Sequence, residues 1–182
     1  MSLRFTETGI EGVVQIGLDP IRDDRGYFAR AWSADEFLAG GLNATWVQAN
    51  LGHNPVEGTL RGMHLQLEPH AETKLVRCTR GRIQDVAVDL RPTSTTFRRW
   101  VSVELTAERG EMLYIPPGCA HGYLTLEPES DLFYFTSEAY DRASATGVRY
   151  EDPAFGIRWE APIRIVSEAD RTWPLQDAVN EP

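Results

Sequence analysis

Short β-rich runs, separated by glycine, proline and polar clusters, recur through most of this chain and constrain its fold more than any other feature. The clearest runs are at 83–90, 100–105, 112–115, 122–126 and 132–136. This spacing is typical of an antiparallel sandwich or barrel, in which short strands are joined by turns. The chain has 182 residues and neither an internal repeat nor a low-complexity linker. We therefore expect one all-β domain spanning residues 1–182, with a few short helices.

The N-terminal region and the C-terminal tail each contain a helix signal. Ser33 and Glu36 have the spacing of a capping box, and Gly40-Gly41 provides a stop, which predicts a short helix between them. Ser167 is followed three residues later by Asp170, which predicts a second helix start near the C-terminus. The run 13–16 suggests an edge strand. The polar segment 22–28 suggests a solvated turn whose final aromatic pair packs into the core.

Charge and cysteine usage restrict the class of partner. The formal net charge of -9 argues against general binding to nucleic acids or anionic membranes. An anionic ligand would need a local basic cluster. Cys78 and Cys119 lack a metal-binding spacing, and such low cysteine usage is typical of reducing compartments. Because no apolar run reaches membrane-spanning length and the N-terminus lacks signal-peptide features, we expect a soluble cytoplasmic protein.

The stretch 58–81 contains polar side chains where strands are predicted. Arg61, His64, Gln66 and Lys74 all lie in it, and Lys74 is the only lysine of the chain. A polar group that faces a core needs either a partner or a function. Lys74 is therefore a candidate for a chemical role, because an amine changes its pKa more readily than a guanidinium. The alternative is a surface lysine beside a strand.

The segment 110–121 has the spacing of the second cupin motif and ends at His121. The first cupin motif is incomplete: Gly58 stands six residues before His64, but Gln66 occupies the place of a second histidine. An amide is a poor substitute for an imidazole as a ligand of a transition metal. We therefore expect a cupin jelly roll without a catalytic metal. A weaker site formed by Glu72 and His121 stays open.

Strand periodicity predicts a polar pocket. His64 and Gln66 share one strand face, as do Tyr134 and Thr136 on a later strand. If both faces line the interior, an imidazole, the Lys74 amine and a phenol meet there. This set suits proton abstraction beside a carbonyl, with histidine as the base, lysine stabilising the enolate and tyrosine returning the proton. Taken singly, each of these residues is also an ordinary core residue.

Other residues allow more than one interpretation. Gln48 and Asn50 share a strand face, either as a hydrogen-bonded structural pair or as substrate contacts. A histidine base works better beside a carboxylate that fixes its tautomer. Composition does not identify that carboxylate, and Asp170 is also explained as a first-turn helix carboxylate.

Seven motifs give the chain its resemblance to a known family. They are Asp24-Arg25-Gly26, Gln48-Ala49-Asn50, Leu60 to Gln66, Lys74-Leu75-Val76, Asp85 to Arg91, Ile115 to Gly122, and Asp152-Pro153 to Trp159. Together they resemble the dTDP-4-dehydrorhamnose 3,5-epimerase family over nearly the whole length. The resemblance implies a homodimeric cupin that needs neither cofactor nor metal. Its implied activity is the inversion of carbons beside the 4-keto group of a nucleotide-linked deoxysugar.

The resemblance also implies roles for individual residues. His64 is expected to be the base and Asp170 its partner, with Lys74 stabilising the enolate and Tyr134 donating the proton. The expected ligand contacts are Arg61 at the pyrophosphate, Gln48, Asn50, His121 in the sugar pocket, Tyr140 near the nucleotide, and Arg25 with Phe28 reaching the nucleotide across a dimer interface. Arg61, Lys74 and Arg25 supply the local basic cluster that an anionic ligand requires in an acidic protein.

The chain departs from the family pattern at four positions. Arg30 stands where a glutamate is usual, Ala169 where a basic residue often precedes the aspartate, Phe135 where lysine is common, and Glu72 where glutamine is frequent. Arg30 and Ala169 bear on nucleotide identity and affinity. Two other functions stay open at this point, a nucleotide-sugar 3,4-ketoisomerase and a non-catalytic sugar-binding cupin. Sequence also does not distinguish inversion at C3 alone from inversion at C3 and C5.

Overall fold

The computed structural model describes residues 1–176 and consists mainly of β-strands joined by short turns. In chain order the strands are β1 (Leu3–Glu7), β2 (Val14–Leu18), β3 (Ile21–Asp23), β4 (Gly26–Phe28), β5 (Gln48–Asn54), β6 (Thr59–Gln66), β7 (Lys74–Arg80), β8 (Arg82–Asp89), β9 (Trp100–Thr106), β10 (Met112–Ile115), β11 (Cys119–Thr125), β12 (Ser130–Thr136), β13 (Ala145–Gly147) and β14 (Ile165–Val166). The two helices of the described chain are α1 (Ala34–Ala39) and α2 (Glu168–Thr172). The predicted all-β class with short helices is confirmed.

Two sheets face each other. The first has the order β1-β2-β10-β7-β12-β5, and the second has the order β13-β6-β11-β8-β9, with β14 pairing beside β6. All pairs are antiparallel except that of β14 with β6. Sequence-distant strands are neighbours, as in a jelly roll. The prediction of an edge strand at 13–16 is wrong, because β2 lies between β1 and β10.

Apolar side chains fill the space between the sheets and cover their outer faces. The central cluster joins residues of both sheets, among them Val76, Ile83, Leu113 and Leu132. A second cluster packs Phe37 of α1 against the first sheet, and a third packs the segment around Phe155 against the second sheet. Complete burial of a side chain such as Phe37 contributes about 1.5 to 3 kcal/mol. The sheets are therefore held by packing on both faces.

Helix α1 forms where the sequence predicts it, but the capping box does not. Ser33 is the N-cap residue, yet its side chain makes no capping hydrogen bond. Glu36 instead accepts a hydrogen bond of 2.7 Å from the backbone N–H of Leu3 and one of 2.7 Å from Arg30. These contacts lower the pKa of Glu36, the one from Leu3 contributing most. Arg30 thus ties the segment before α1 to the helix. At α2, Ser167 does accept a hydrogen bond from the backbone of Asp170, as predicted.

The segment 22–28 is largely a hairpin of strands β3 and β4, which pair with each other alone among the described strands. The expectation that its aromatic pair packs into the core is wrong. Tyr27 is 47% exposed and Phe28 is 69% exposed. The physical reason is that a hairpin pairing only with itself has no sheet face to bury its side chains against. Its apolar surface is therefore available for contact.

A bulge interrupts the pairing of β6 with β11 between His121 and Tyr123. Gly62 and Gly122 meet there so closely that a Cβ on Gly62 would lie 2.5 Å from the Cα of Gly122. Gly62 also has φ of +137°, a conformation that favours glycine. Glycine at this position lets the two strands carry His64 and His121 side by side. No helix in the described part of the chain is long and apolar enough to cross a membrane.

Candidate active site

A cavity of about 820 Å³ opens between the two sheets. Strands β5, β7 and β12 of the first sheet and β6 and β11 of the second contribute side chains to it. Most of the predicted site residues line this cavity, namely Gln48, Asn50, Arg61, His64, Lys74, His121, Tyr134 and Tyr140. The imidazole, amine and phenol predicted to share a pocket are therefore brought together.

His64, on β6, is paired with the carboxylate of Asp170. Its Nε2 lies 2.6 Å from Oδ1 of Asp170, and the other carboxylate oxygen accepts a hydrogen bond of 3.3 Å from the backbone N–H of Gly62. Burial alone would raise the pKa of Asp170, but the hydrogen bond from His64 and its charge outweigh burial and lower it. Asp170 is therefore ionised at neutral pH. This fixes the proton of His64 on Nε2 and leaves Nδ1 as the acceptor.

Lys74 begins β7 and is buried within the cavity wall. Its Nζ donates a hydrogen bond of 2.9 Å to the backbone carbonyl of His64 and lies 3.0 Å from Oε1 of Glu72. Burial lowers the pKa of Lys74, while the charge and the hydrogen bond of Glu72 raise it. The lysine is thus anchored beside the histidine, with a carboxylate as its ion-pair partner. The alternative of an exposed surface lysine is wrong.

Tyr134 lies on β12, in the sheet opposite to that of His64. Its backbone pairs with Val76 of β7, close to Lys74 in that strand. Burial raises the pKa of Tyr134, and the charge of Glu72 raises it further. The phenol therefore keeps its proton through the neutral range. A proton donor and a proton acceptor thus enter the cavity from opposite walls.

A second histidine and aspartate pair lies beside the first. His121 of β11 is in register with His64, and its Nε2 lies 2.7 Å from Oδ1 of the fully buried Asp85. Glu72 and His121 were considered above as a weaker metal site. In the structure Glu72 pairs with Lys74, and His121 pairs with Asp85. Among residues 1–176, no group of three or more histidine, cysteine or acidic side chains is arranged to hold a metal ion.

The amide side chains serve both the fold and the cavity wall. Gln48 Nε2 donates to Asn50 Oδ1 at 2.9 Å, so the two amides form the structural pair while also lining the cavity. Gln66 has backbone partners in the segment after β12: its Nε2 donates to Ala139, and its Oε1 accepts from Asp141. Gln66 therefore fixes a cavity wall, in the place where the first cupin motif expects a second histidine.

Asp170 contacts His64 without lining the cavity itself, and Arg25 and Phe28 do not line the cavity either. Both lie at the exposed β3–β4 hairpin, where Arg25 forms an ion pair with Asp23 at 2.5 Å. Arg61, in contrast, lines the cavity and donates its Nε to Asn54 at 2.9 Å.

Several residues in or beside the cavity escaped the sequence interpretation. Asp85 had a usable signal, since it is a charged residue within the apolar alternation of β8. Trp173 lies three residues after Asp170, lines the cavity and packs its ring at an angle of 69° on that of His64. Arg142 also lines the cavity from an exposed segment and had no sequence signal. Among the described residues no carboxylate forms an ion pair with Arg142.

Comparisons with known proteins agree with this geometry. A family model described as dTDP-4-dehydrorhamnose 3,5-epimerase matches residues 7–177. The chain is 41% identical over 153 residues to the dTDP-4-dehydrorhamnose 3,5-epimerase of Sinorhizobium fredii, covering 84% of this chain and 78% of that protein. It is 39% identical to the enzyme of the same name from Methanothermobacter thermautotrophicus, covering 96% and 95%. A crystal structure of dTDP-4-dehydrorhamnose 3,5-epimerase from Bacillus anthracis with TDP and PPi bound superposes with a TM-score of 0.93 at 34% identity, covering 96% of this chain and all of that one, 100%.

Proposed function

The chain belongs to the dTDP-4-dehydrorhamnose 3,5-epimerase family, and from this membership we propose how its cavity residues divide the work of catalysis. It is an isomerase that inverts C3, C5 or both in a nucleotide-linked 4-keto-6-deoxysugar, in deoxysugar biosynthesis. The relatives' names favour this activity over the ketoisomerase and over the binding cupin. The residue roles that follow are our proposal.

The observation that carries the proposal is the placement of His64 and Tyr134 on opposite sheets of one cavity. Nδ1 of His64 takes the proton from the carbon beside the ketone, and the C–H electron pair becomes the enolate double bond. The carbonyl electrons move to oxygen, where the Lys74 ammonium stabilises them. Tyr134 then gives its proton to the other face of the same carbon. Inversion follows because base and acid lie on different sides of the sugar ring.

Asp170 supports this reaction without touching the sugar. Its hydrogen bond holds His64 in the tautomer that presents Nδ1, and its charge stabilises the imidazolium formed after proton abstraction. Trp173 packs beside His64 and limits the movement of the ring. We propose the second pair, His121 with Asp85, as a contact to the sugar, because His121 is next to His64 across the strand pair.

Cations at the cavity account for the binding of an acidic ligand by an acidic protein. Lys74 is already compensated by Glu72, so Arg61 and Arg142 are the cavity guanidinium groups left for the diphosphate. The Bacillus anthracis relative was crystallised with TDP and PPi. We propose that Gln48, Asn50 and Tyr140 complete the nucleotide-sugar contacts.

A homodimer is part of this proposal. Strand β5 ends its sheet and exposes Leu51 by 71%, and the hairpin exposes Phe28 by 69%. An exposed strand edge and exposed aromatic side chains are typical of protein interfaces. In the dimer we expect Arg25 and Phe28 to reach the partner's nucleotide. Sedimentation velocity tests the dimer, and a monomer with full activity would contradict it. Low cysteine usage supports a cytoplasmic location.

Incubation with dTDP-4-keto-6-deoxyglucose in heavy water tests the activity. Mass spectrometry and NMR of the sugar then count the deuterons and locate them. Deuterium at C3 and C5 with inversion of both carbons establishes a 3,5-epimerase, and deuterium with inversion at C3 alone establishes a 3-epimerase. A product with its ketone at C3 would overturn the proposal in favour of the ketoisomerase, and binding without any exchange would favour a binding protein.

A further inference from the structure

Glu72 is an incompletely satisfied carboxylate in the wall of the active-site cavity. Its side chain is 5% exposed, and its one ion-pair partner is Lys74, at 3.0 Å. The other oxygen, Oε2, is buried and has no hydrogen-bond partner among the described residues. Burying a carboxylate costs several kcal/mol unless it is paired and fully hydrogen-bonded. Because it also lines the cavity, Glu72 is a candidate for a role beyond the fold.

Lys74 is held from two sides by the same arrangement. Of the three donors on its ammonium, one is directed to the carbonyl oxygen of His64 and one to Glu72. The third is left for a group in the cavity. Glu72 therefore determines both where the lysine points and how its charge is balanced.

We propose that Glu72 is a positioning residue for the epimerisation, the counter-ion that keeps the buried Lys74 side chain charged and directed toward the sugar. This inference rests on the proposed role of Lys74 at the enolate oxygen. It adds Glu72 as the residue that keeps Lys74 in position for that role. Glu72 itself acts through Lys74.

The negative charges around Lys74 favour its protonated form. Burial lowers the pKa of Lys74, and the charges of Glu72 and, more weakly, of Asp85 on β8 oppose it. Tyr134 faces the pair from β12, and Glu72 adds to the effect of burial in raising its pKa. His64 on β6 and His121 on β11 complete the titratable surroundings, each with its own carboxylate. One negative charge thus favours the protonated form of both the lysine and the tyrosine.

The single lysine of the chain makes a direct test available. Protein labelled with isotope-enriched lysine gives one side-chain NMR signal, and that signal reports the titration of Lys74 itself. In Glu72→Gln, which preserves the shape of the side chain, we expect the titration midpoint to fall by about 1 to 3 pH units. An unchanged midpoint overturns the proposal. Because this readout needs no turnover, it is separate from the test of the activity.

Glu111→Gln is the matched control. Glu111 also has one ion pair, to Arg109 at 2.5 Å, and one buried oxygen without a hydrogen-bond partner among residues 1–176, but it lies outside the cavity lining. This variant should leave the Lys74 midpoint in place. An equal shift in both variants would mean a general change in protein charge and would refute the specific role of Glu72.

The pH profile of deuterium exchange gives a second measurement. In Glu72→Gln the alkaline limb should move to lower pH by the same amount as the NMR midpoint, since lysine and tyrosine both lose their protons earlier. A purely structural role would lower the unfolding temperature or raise KM without moving the limb. If Glu72→Gln does not fold, Glu72→Asp keeps the charge at a greater distance. Its Lys74 midpoint should then fall by about 0.5 to 1 pH unit, and an unchanged midpoint would overturn the proposal.

Discussion

His64 and Asp170 are separated by 106 positions in the chain, yet Nε2 of the imidazole lies 2.6 Å from Oδ1 of the carboxylate. The contact joins the middle of strand β6 to the first turn of the C-terminal helix α2. Because Ser167 caps that helix through the backbone of Asp170, the local helix signal also sets the position of the carboxylate. The partner of the His64 imidazole thus depends on the docking of a five-residue helix.

His64→Ala should abolish deuterium exchange at the sugar carbons, because it removes the imidazole that we propose takes the proton. Asp170→Asn should lower exchange by about 10²- to 10⁴-fold while the cavity stays intact, since the amide favours the wrong tautomer of His64. Mass spectrometry of the sugar in heavy water measures both. Near-normal exchange in His64→Ala would remove His64 from the role of base.

Tyr134→Phe should separate exchange from inversion. His64 still removes the proton in this variant, so deuterium enters the sugar, but the product of inversion should form at least about 100-fold more slowly. NMR compares the two rates in one sample. Tyr150→Phe, a change of the same kind outside the cavity lining, is the control. Wild-type inversion by Tyr134→Phe would show that another group donates the proton.

Lys74→Met should destabilise the protein as well as inactivate it. The substitution leaves Glu72 buried without a counter-ion, and breaking a buried pair in this way costs about 3 to 5 kcal/mol. Adding Glu72→Gln should recover most of that stability but none of the activity. Urea denaturation measures the free energy of unfolding. If the double variant is as unstable as Lys74→Met, the cost lies in packing and the charge argument is wrong.

Arg142→Ala should raise KM for the nucleotide sugar by about tenfold and make it less sensitive to salt. The reason is that Arg142 has no carboxylate partner within the described chain and faces the cavity that also contains Arg61. Arg99→Ala, which removes another exposed arginine at a distance from the cavity lining, should leave KM unchanged. Equal effects of the two substitutions would indicate a general influence of net charge.

Asp89 should make stability depend on pH in the acid range. Burial acts to raise its pKa, but hydrogen bonds from Arg91, Ser94 and Thr96 outweigh burial and hold the pKa well below the usual range. The stabilisation is therefore complete above the pKa of an unfolded aspartate, about 4, and is lost as the pH falls through the lower folded value. Asp89→Asn should be less stable at neutral pH, and its deficit should shrink below about pH 4. Denaturation at several pH values checks this, and a constant deficit would exclude ionisation as the cause.

The positions of most strands were predictable from the sequence, because the signals for them are local. Successive side chains of a strand point to opposite faces, so the shared faces of Gln48 with Asn50 and of His64 with Gln66 follow from a period of two. Both helices begin at the predicted serines for the same reason. Family motifs then identified the cupin and the epimerase activity, which the comparisons confirm.

Pairing between distant segments was decided by the tertiary structure alone. Nothing local indicates that Glu36 binds Leu3 and Arg30 instead of capping its own helix, or that the 22–28 hairpin stays outside the core. The hydrogen bond from Lys74 to the backbone carbonyl of His64 depends on how β7 packs against β6 of the other sheet, and the approach of Arg142 to the cavity depends on the segment after β12. Such contacts form when the two sheets pack around a common core. They join residues that are far apart in the sequence, and local sequence patterns do not indicate which of these residues will meet.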